Sequence, residues 1–104
     1  MKHTFIPMSE TAYYILLSLV EERHGYGIMQ YVNEITNERL KLGAGTIYGT
    51  LGKLEKAGLI SMTKEEEKRK YYQITEEGTR VLRDELSRIM ELYKAGKEVL
   101  CDAK

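Results

Sequence analysis

The stretch TIYGTLGKLEKAGLISMTKEEEKRKYYQIT (46–75) decides the fold. Ile47, Leu51 and Leu54 recur at the i, i+4, i+7 spacing of one helix face. Gly58 stands where a helix C′ residue takes a left-handed conformation, so the spacing predicts a helix from about Thr46 to Gly58. Two short β-prone segments follow, Leu59–Thr63 and Lys70–Thr75, with the charged turn Lys64–Arg69 between them. Together they read as a hairpin.

Upstream, Ser9 followed by Glu10 reads as a helix N-cap with an acid in the first turn. The first helix carries Tyr13, Leu16, Leu17 and Val20, flanked by Ala12, Ile15 and Leu19, and is expected to stop near His24-Gly25. Its apolar stripe is wide enough to be covered from two sides. A second helix is expected from about Tyr26 to Thr36, with Ile28, Met29, Val32 and Ile35 inward, and Asn37 to Gly45 reads as a loop. Downstream, Thr75 caps a last helix whose first turn holds Glu76 and Glu77 and which runs to about Leu100.

The order is three helices, two strands and one long helix. This predicts an α+β, mostly α chain: a winged helix-turn-helix, with a two-stranded β-wing and a long C-terminal dimerisation helix. Residues 1–75 form the DNA-binding domain and residues 76–104 the dimerisation helix in this reading.

The chain has 104 residues, 42% hydrophobic and 31% charged, with no net charge. That is the balance of one globular domain. The zero net charge hides an uneven distribution, because residues 41–70 carry seven Lys or Arg against four Glu. A polyanion would meet the chain in that middle third. The apolar run Ala12–Val20 is too short for a membrane span and is not followed by a leader-type cleavage site, so a cytoplasmic address is expected.

With Ile47, Leu51 and Leu54 inward, Gly49, Lys53 and Lys56 point outward, with Thr46, Thr50 and Gly52 beside them and Tyr48 on the flank. Each interior glycine costs a helix about 0.5–1 kcal/mol relative to alanine. Small residues let a backbone approach another surface closely. The functional reading is therefore a DNA recognition helix: Lys53 and Lys56 at phosphates or guanine edges, Thr46 at phosphate near the helix N-terminus, and Lys41 in the loop before it. The alternative is an ordinary solvated basic face. Lys68, Arg69 and Lys70 on the hairpin favour DNA, since they sit where a wing reaches the flanking backbone. Glu65, Glu66 and Glu67 on the same tip argue for backbone contact rather than deep insertion.

The stretches Gly25–Ile28, Leu42–Ile60 and Lys68–Gly78 resemble the PadR family of bacterial transcriptional regulators in order and spacing, a likeness covering roughly residues 8–82. The resemblance implies a dimeric repressor on a near-palindromic operator, often responsive to a small molecule. It places Thr46 and Tyr48 at backbone-contacting positions, Lys53 at a basic recognition-helix position, and Arg69 and Lys70 at the wing's basic pair. Gly49 and Gly52 depart from the proline and basic residue frequent there.

On the last helix Leu82, Leu86, Ile89, Tyr93, Gly96 and Leu100 follow an a/d heptad spacing, widened by Val81, Met90 and Val99. A homodimer is expected, sealed by Tyr13, Leu16, Leu17, Leu82, Leu86, Ile89, Tyr93 and Leu100. Some short family members hold flat aromatic molecules between the terminal helices with a tryptophan. This chain has no Trp, and an effector pocket would be lined by Tyr13, Tyr14, Ile89, Met90 and Tyr93; plain interface core is the alternative. His3 falls in a tail expected to be disordered. His24 is expected at a helix end, meeting the last carbonyls, and Cys101 reads as a free thiol near a frayed terminus. No metal or cofactor site, nucleophile–base pair or paired carboxylates are read from the sequence, and an enzyme is not expected. The competing function is a winged-helix module that binds protein rather than DNA.

Overall fold

The structure is a computed structural model and describes residues 7–102, so His3 lies outside the described residues. Helix α1 spans Glu10–Ser18, strand β1 Arg23–His24, helix α2 Gly25–Ile35 and helix α3 Ala44–Lys56; strands β2 (Ile60–Glu66) and β3 (Arg69–Ile74) precede helix α4 (Glu76–Lys97). One π-helical turn, Glu98–Asp102, extends α4. The strands form a single antiparallel sheet in the order β1-β3-β2. This is a winged helix-turn-helix with a long C-terminal helix.

The periodic residues of the second, third and fourth helices make the core. Ile28, Val32, Ile47, Leu51 and Leu54 are buried with Ile15, Leu16 and Leu19 of the first helical segment, and Val81 and Leu82 of α4 close the same cluster. Gly58 has φ +81°, the left-handed conformation expected after a helix end. Ile35, expected inward, is 46% exposed because it lies in the last turn of α2, beyond the cover of the neighbouring helices.

Several boundaries differ from those read in the sequence. Helix α1 ends at Ser18 rather than near His24, capped by Leu19. The next residues leave the helix for the sheet: Arg23 pairs with Tyr72 and His24 with Tyr71 of β3, and Arg23 Nε donates to the Ser18 carbonyl at 2.7 Å. Helix α3 starts two residues early, at Ala44, with Gly43 as its N-cap. The first wing strand is longer than expected, the second is shifted one residue earlier, and the turn shrinks to Glu67-Lys68, whose φ values of 50° and 67° give the left-handed pair of a tight I′-type hairpin. Lys64–Glu66 join the ladder because charged residues find cross-strand partners: Glu65 faces Lys70 and Glu66 faces Arg69.

Thr75 joins the third and fourth helices. Its hydroxyl donates to the Gly58 carbonyl at 2.7 Å and accepts from the Gly78 N–H at 3.0 Å, while its own N–H donates to the Leu59 carbonyl at 2.9 Å. Gly78 lies against the Leu59 carbonyl so closely that an added Cβ would meet that oxygen and come within 2.7 Å of Ile74 Cγ1. The first turns of α4 are thereby fixed to the wing and to the end of α3. Within them Glu85 is 1% exposed, and its Oε1 accepts from Arg88 Nε at 3.0 Å and Nη2 at 2.7 Å. That hydrogen bond raises the Arg88 guanidinium further above its ordinary value.

Past Glu85 the helix leaves the body. Leu86, Met90, Tyr93 and Leu100 are exposed, as are Leu92 and Val99. No helix among the described residues is long and apolar enough to cross a membrane.

Candidate nucleic-acid interface

Helix α3 turns its apolar stripe into the core and leaves the opposite face bare. Gly49 and Gly52 have open space where a side chain would stand. Thr46, Lys53 and Lys56 are exposed around them, and Thr50 is half-buried. Lys53 and Lys56 fall in the last turn, where cations also suit the helix dipole. Tyr48, on the flank, is 56% exposed, yet its hydroxyl rests on the Cα of Gly25 at the start of α2, where no Cβ obstructs it.

Lys68, Arg69 and Lys70 are exposed on the wing. Between wing and helix lies a groove of about 350 Å³, lined by His24, Tyr26, Tyr48 and the three wing cations, with Tyr72 at its base. Burial first, then the nearby charges of Glu55, Tyr48 and Glu65, push the Tyr72 hydroxyl above the usual tyrosine range. Among the described residues no carboxylate lines the groove. Of the wing's acids Glu66 is drawn to Lys64, whose Nζ lies 3.6 Å from it and 3.8 Å from Glu22.

The structure thus brings Tyr48 together with Lys68, Arg69 and Lys70. Lys41 does not line this groove but a second depression of about 290 Å³, with Gln30 and Asn33, which shares Tyr26 with it; its Nζ lies 3.9 Å from Glu38. His24 does not meet the end of a helix, as expected, but begins one. It is the N-cap of α2, with Nδ1 accepting from the Gly27 N–H at 3.1 Å. Its ring also packs edge-on against Tyr71, with centroids 5.0 Å apart. His24 and Tyr26 were missed as groove residues. The available signal was His24-Gly25-Tyr26-Gly27 directly ahead of the Ile28/Val32 stripe, since a side-chain acceptor there occupies the capping position.

Of the expected dimer residues, Leu86 and Tyr93 are exposed along α4 and Leu100 on the π-helical turn that extends it, and Ile89, Tyr13 and Leu17 are half-buried. Leu16 is fully buried and Leu82 nearly so within the chain's own core, so neither presents a free surface. Among the residues named for an effector pocket, Tyr14 packs edge-on against Tyr13, at 6.0 Å between centroids. Burial, then Tyr14 and Glu85, raises the Tyr13 hydroxyl. Met90 is exposed on the free part of α4. Cys101 is an exposed free thiol. Among the described residues no group of three or more His, Cys, Asp or Glu could hold a metal.

This architecture is that of the transcriptional regulator PadR-like family, whose family model matches residues 14–84; the chain belongs to it. A protein of Lysinibacillus sphaericus is 32% identical over 92 residues, covering 79% of this chain and 84% of that one. Among solved structures, a transcriptional regulator from Clostridium thermocellum matches with TM-score 0.78 at 25% identity, over 96% of this chain and 99% of its own. A PadR family regulator from Eggerthella lenta matches with TM-score 0.72 at 26% identity, over 88% of this chain and 81% of its own. Bacillus subtilis PadR, solved in complex with operator DNA, matches with TM-score 0.64 at 31% identity, over 75% of this chain and 48% of its own. The chain is a PadR-like transcriptional regulator.

Proposed function

We propose that this regulator binds duplex DNA as a homodimer and represses transcription from a near-palindromic operator. Residues 1–75 form the DNA-binding unit and residues 76–104 the dimerisation helix. Helix α3 enters the major groove, its backbone admitted closely at Gly49 and Gly52, while Lys53 and Lys56 meet phosphates or guanine edges. Thr46, Tyr48 and Thr50 contact the backbone near the helix start, Lys41 meets phosphate from the preceding loop, and Lys68, Arg69 and Lys70 hold the flanking backbone from the wing. In a two-fold pair the recognition helices stand about 34 Å apart, one DNA turn.

The observation that carries this reading is that Tyr48, on the flank of a bare, glycine-bearing helix, shares one groove with the three cations of the wing. Such groups hold a polyanion in place and have no reaction to perform. The exposed apolar stripe Leu86, Met90, Tyr93 and Leu100 supports pairing of α4 with a second copy. Tyr14, Ile89, Met90 and Tyr93 would meet a flat aromatic effector that releases the operator. As a DNA-bound regulator the protein works in the cytoplasm.

The test is an anisotropy titration with the DNA upstream of its own coding region at two salt concentrations. For Z neutralised phosphates, log K should fall with log salt at a slope of about −0.9Z. Lys53→Ala should weaken binding, and more than Tyr48→Phe does. A binding constant indifferent to salt would instead favour a winged-helix module that recognises protein.

A further inference from the structure

His24 holds its ring between two donors. Nδ1 lies 3.1 Å from the Gly27 N–H, and Nε2 lies 3.3 Å from Nη1 of Arg69 on the wing. A neutral imidazole carries one proton and accepts at one nitrogen only, while a guanidinium donates and never accepts. The ring therefore cannot accept from both.

Local geometry decides which contact is a hydrogen bond. The Gly27 N–H is a fixed backbone donor in the first turn of α2, and His24 has the extended N-cap backbone, φ −97° and ψ 175°, that presents an acceptor to it. Arg69 sits on an exposed wing and its long side chain can rotate. Nδ1 is then the acceptor, Nε2 carries the proton, and that proton and the Arg69 guanidinium face each other. Two donors converging within 3.3 Å call for an anionic oxygen that accepts from both.

The surroundings agree with an anion. The groove is lined by Tyr26, Tyr48, Lys68 and Lys70 besides this pair. The N-terminus of α2 adds its positive dipole end to the His24 side. The backbones of both residues are fixed in advance, because His24 pairs with Tyr71 in the β1–β3 ladder that also carries Arg69. The edge-on Tyr71 ring, 5.0 Å from the imidazole, further fixes its orientation.

We propose that His24 Nε2–H and the Arg69 guanidinium together bind one backbone phosphate of duplex DNA. The inference rests on the DNA-binding reading above and adds to it a neutral, sequence-blind anchor at the junction of α2 and the wing. Free inorganic phosphate shares the chemistry and is separated by the test.

His24→Asn retains a good N-cap but removes the donor that reaches the groove. A duplex of about 30 random base pairs at about 50 mM NaCl serves as probe, since a phosphate contact carries no sequence information. His24→Asn should bind about tenfold more weakly, the loss of one hydrogen bond to a charged acceptor. Its salt slope should equal that of wild type, because a neutral donor displaces no counterion, whereas Arg69→Ala should flatten the slope by about 0.9. The double variant should lose less than the product of the single losses, since one phosphate is shared. Nitrogen NMR on the free wild-type protein should show the Nε2–H tautomer, with a resonance that moves on adding duplex.

Wild-type affinity in a His24→Asn protein of unchanged melting temperature, or strictly multiplicative losses, would overturn the proposal. So would an Nδ1–H tautomer, a reading that needs no variant to fold. Saturation of the Nε2 shift by inorganic phosphate at about 1 mM, with no further change on adding duplex, would assign the site to the free ion instead. If Lys53→Ala weakens binding and His24→Asn does not, only this inference fails. If wild type binds no duplex, the functional reading itself fails and the DNA anchor falls with it.

Discussion

The hydroxyl of Tyr48 on α3 rests on the backbone of Gly25 at the head of α2; a Cβ added to Gly25 would meet the oxygen and come within 2.7 Å of Cζ. The obstructing atoms are the far end of a side chain, which can swing aside. Gly25→Ala should therefore cost little stability, about 1 kcal/mol or less, but should displace Tyr48 from the groove. DNA affinity should fall about three- to tenfold, the worth of one ordinary hydrogen bond. Adding Tyr48→Phe removes the oxygen but leaves Cζ within 2.7 Å of the new methyl, so it should recover only part of any lost melting temperature and none of the affinity. Unchanged melting and binding in Gly25→Ala would show that the contact is slack.

At Gly78 the obstruction is backbone. A methyl there collides with the Leu59 carbonyl, which already accepts from Thr75. Gly78→Ala should destabilise the fold by ~1–3 kcal/mol, lowering the melting temperature by roughly 4–8 °C for each kcal/mol. A variant melting with wild type would mean that α4 shifts freely on the wing.

The exposed stripe of α4 leads to a third expectation. Leu86→Asp places a charge in the proposed seam while leaving the buried Val81 and Leu82 in place. Light scattering at micromolar protein should then report a monomer where wild type reports a dimer. Wild-type melting should also rise with protein concentration, as mass action requires of a paired fold. A Leu86→Asp protein that still dimerises would place the interface elsewhere.

Alkaline pH supplies a fourth. Burial raises the hydroxyls of Tyr72 and Tyr13 above the ordinary tyrosine value, so the folded chain favours their neutral forms. Their contribution is complete below about pH 10 and is lost as pH rises through the higher folded values. Urea midpoints should hold steady up to about pH 10 and decline beyond it, and Tyr72→Phe should make the decline shallower. Equal slopes in variant and wild type would remove Tyr72 from the account.

The legible parts of this molecule were those written in local periodicity or single-residue conformation. Ile47, Leu51 and Leu54 declare the inner face of α3 by spacing alone, and Gly58 ends that segment because it takes φ +81°. The basic face of α3 follows by subtraction. Two-residue β1 was not legible, since Arg23 and His24 have no strand character of their own and are recruited by the edge of β3, nearly fifty residues away. That pairing also hid the capping role of His24 and its place in the groove. Lys64–Glu66 read as turn because strand character was judged from apolar content, whereas in the ladder Lys64 faces the Tyr71 ring and Glu65 and Glu66 stand opposite Lys70 and Arg69. Leu16 illustrates a further limit of one-dimensional patterns: a wide apolar stripe does not reveal which part the chain covers by itself.

The hydroxyl of Thr75 touches both the last carbonyl after α3 and the first turn of α4. Probe and spine are consequently welded rather than hinged. In a paired molecule, any twist imposed on the two spines would be handed on undiminished to the tips that meet the double helix, with no intervening linker to absorb it.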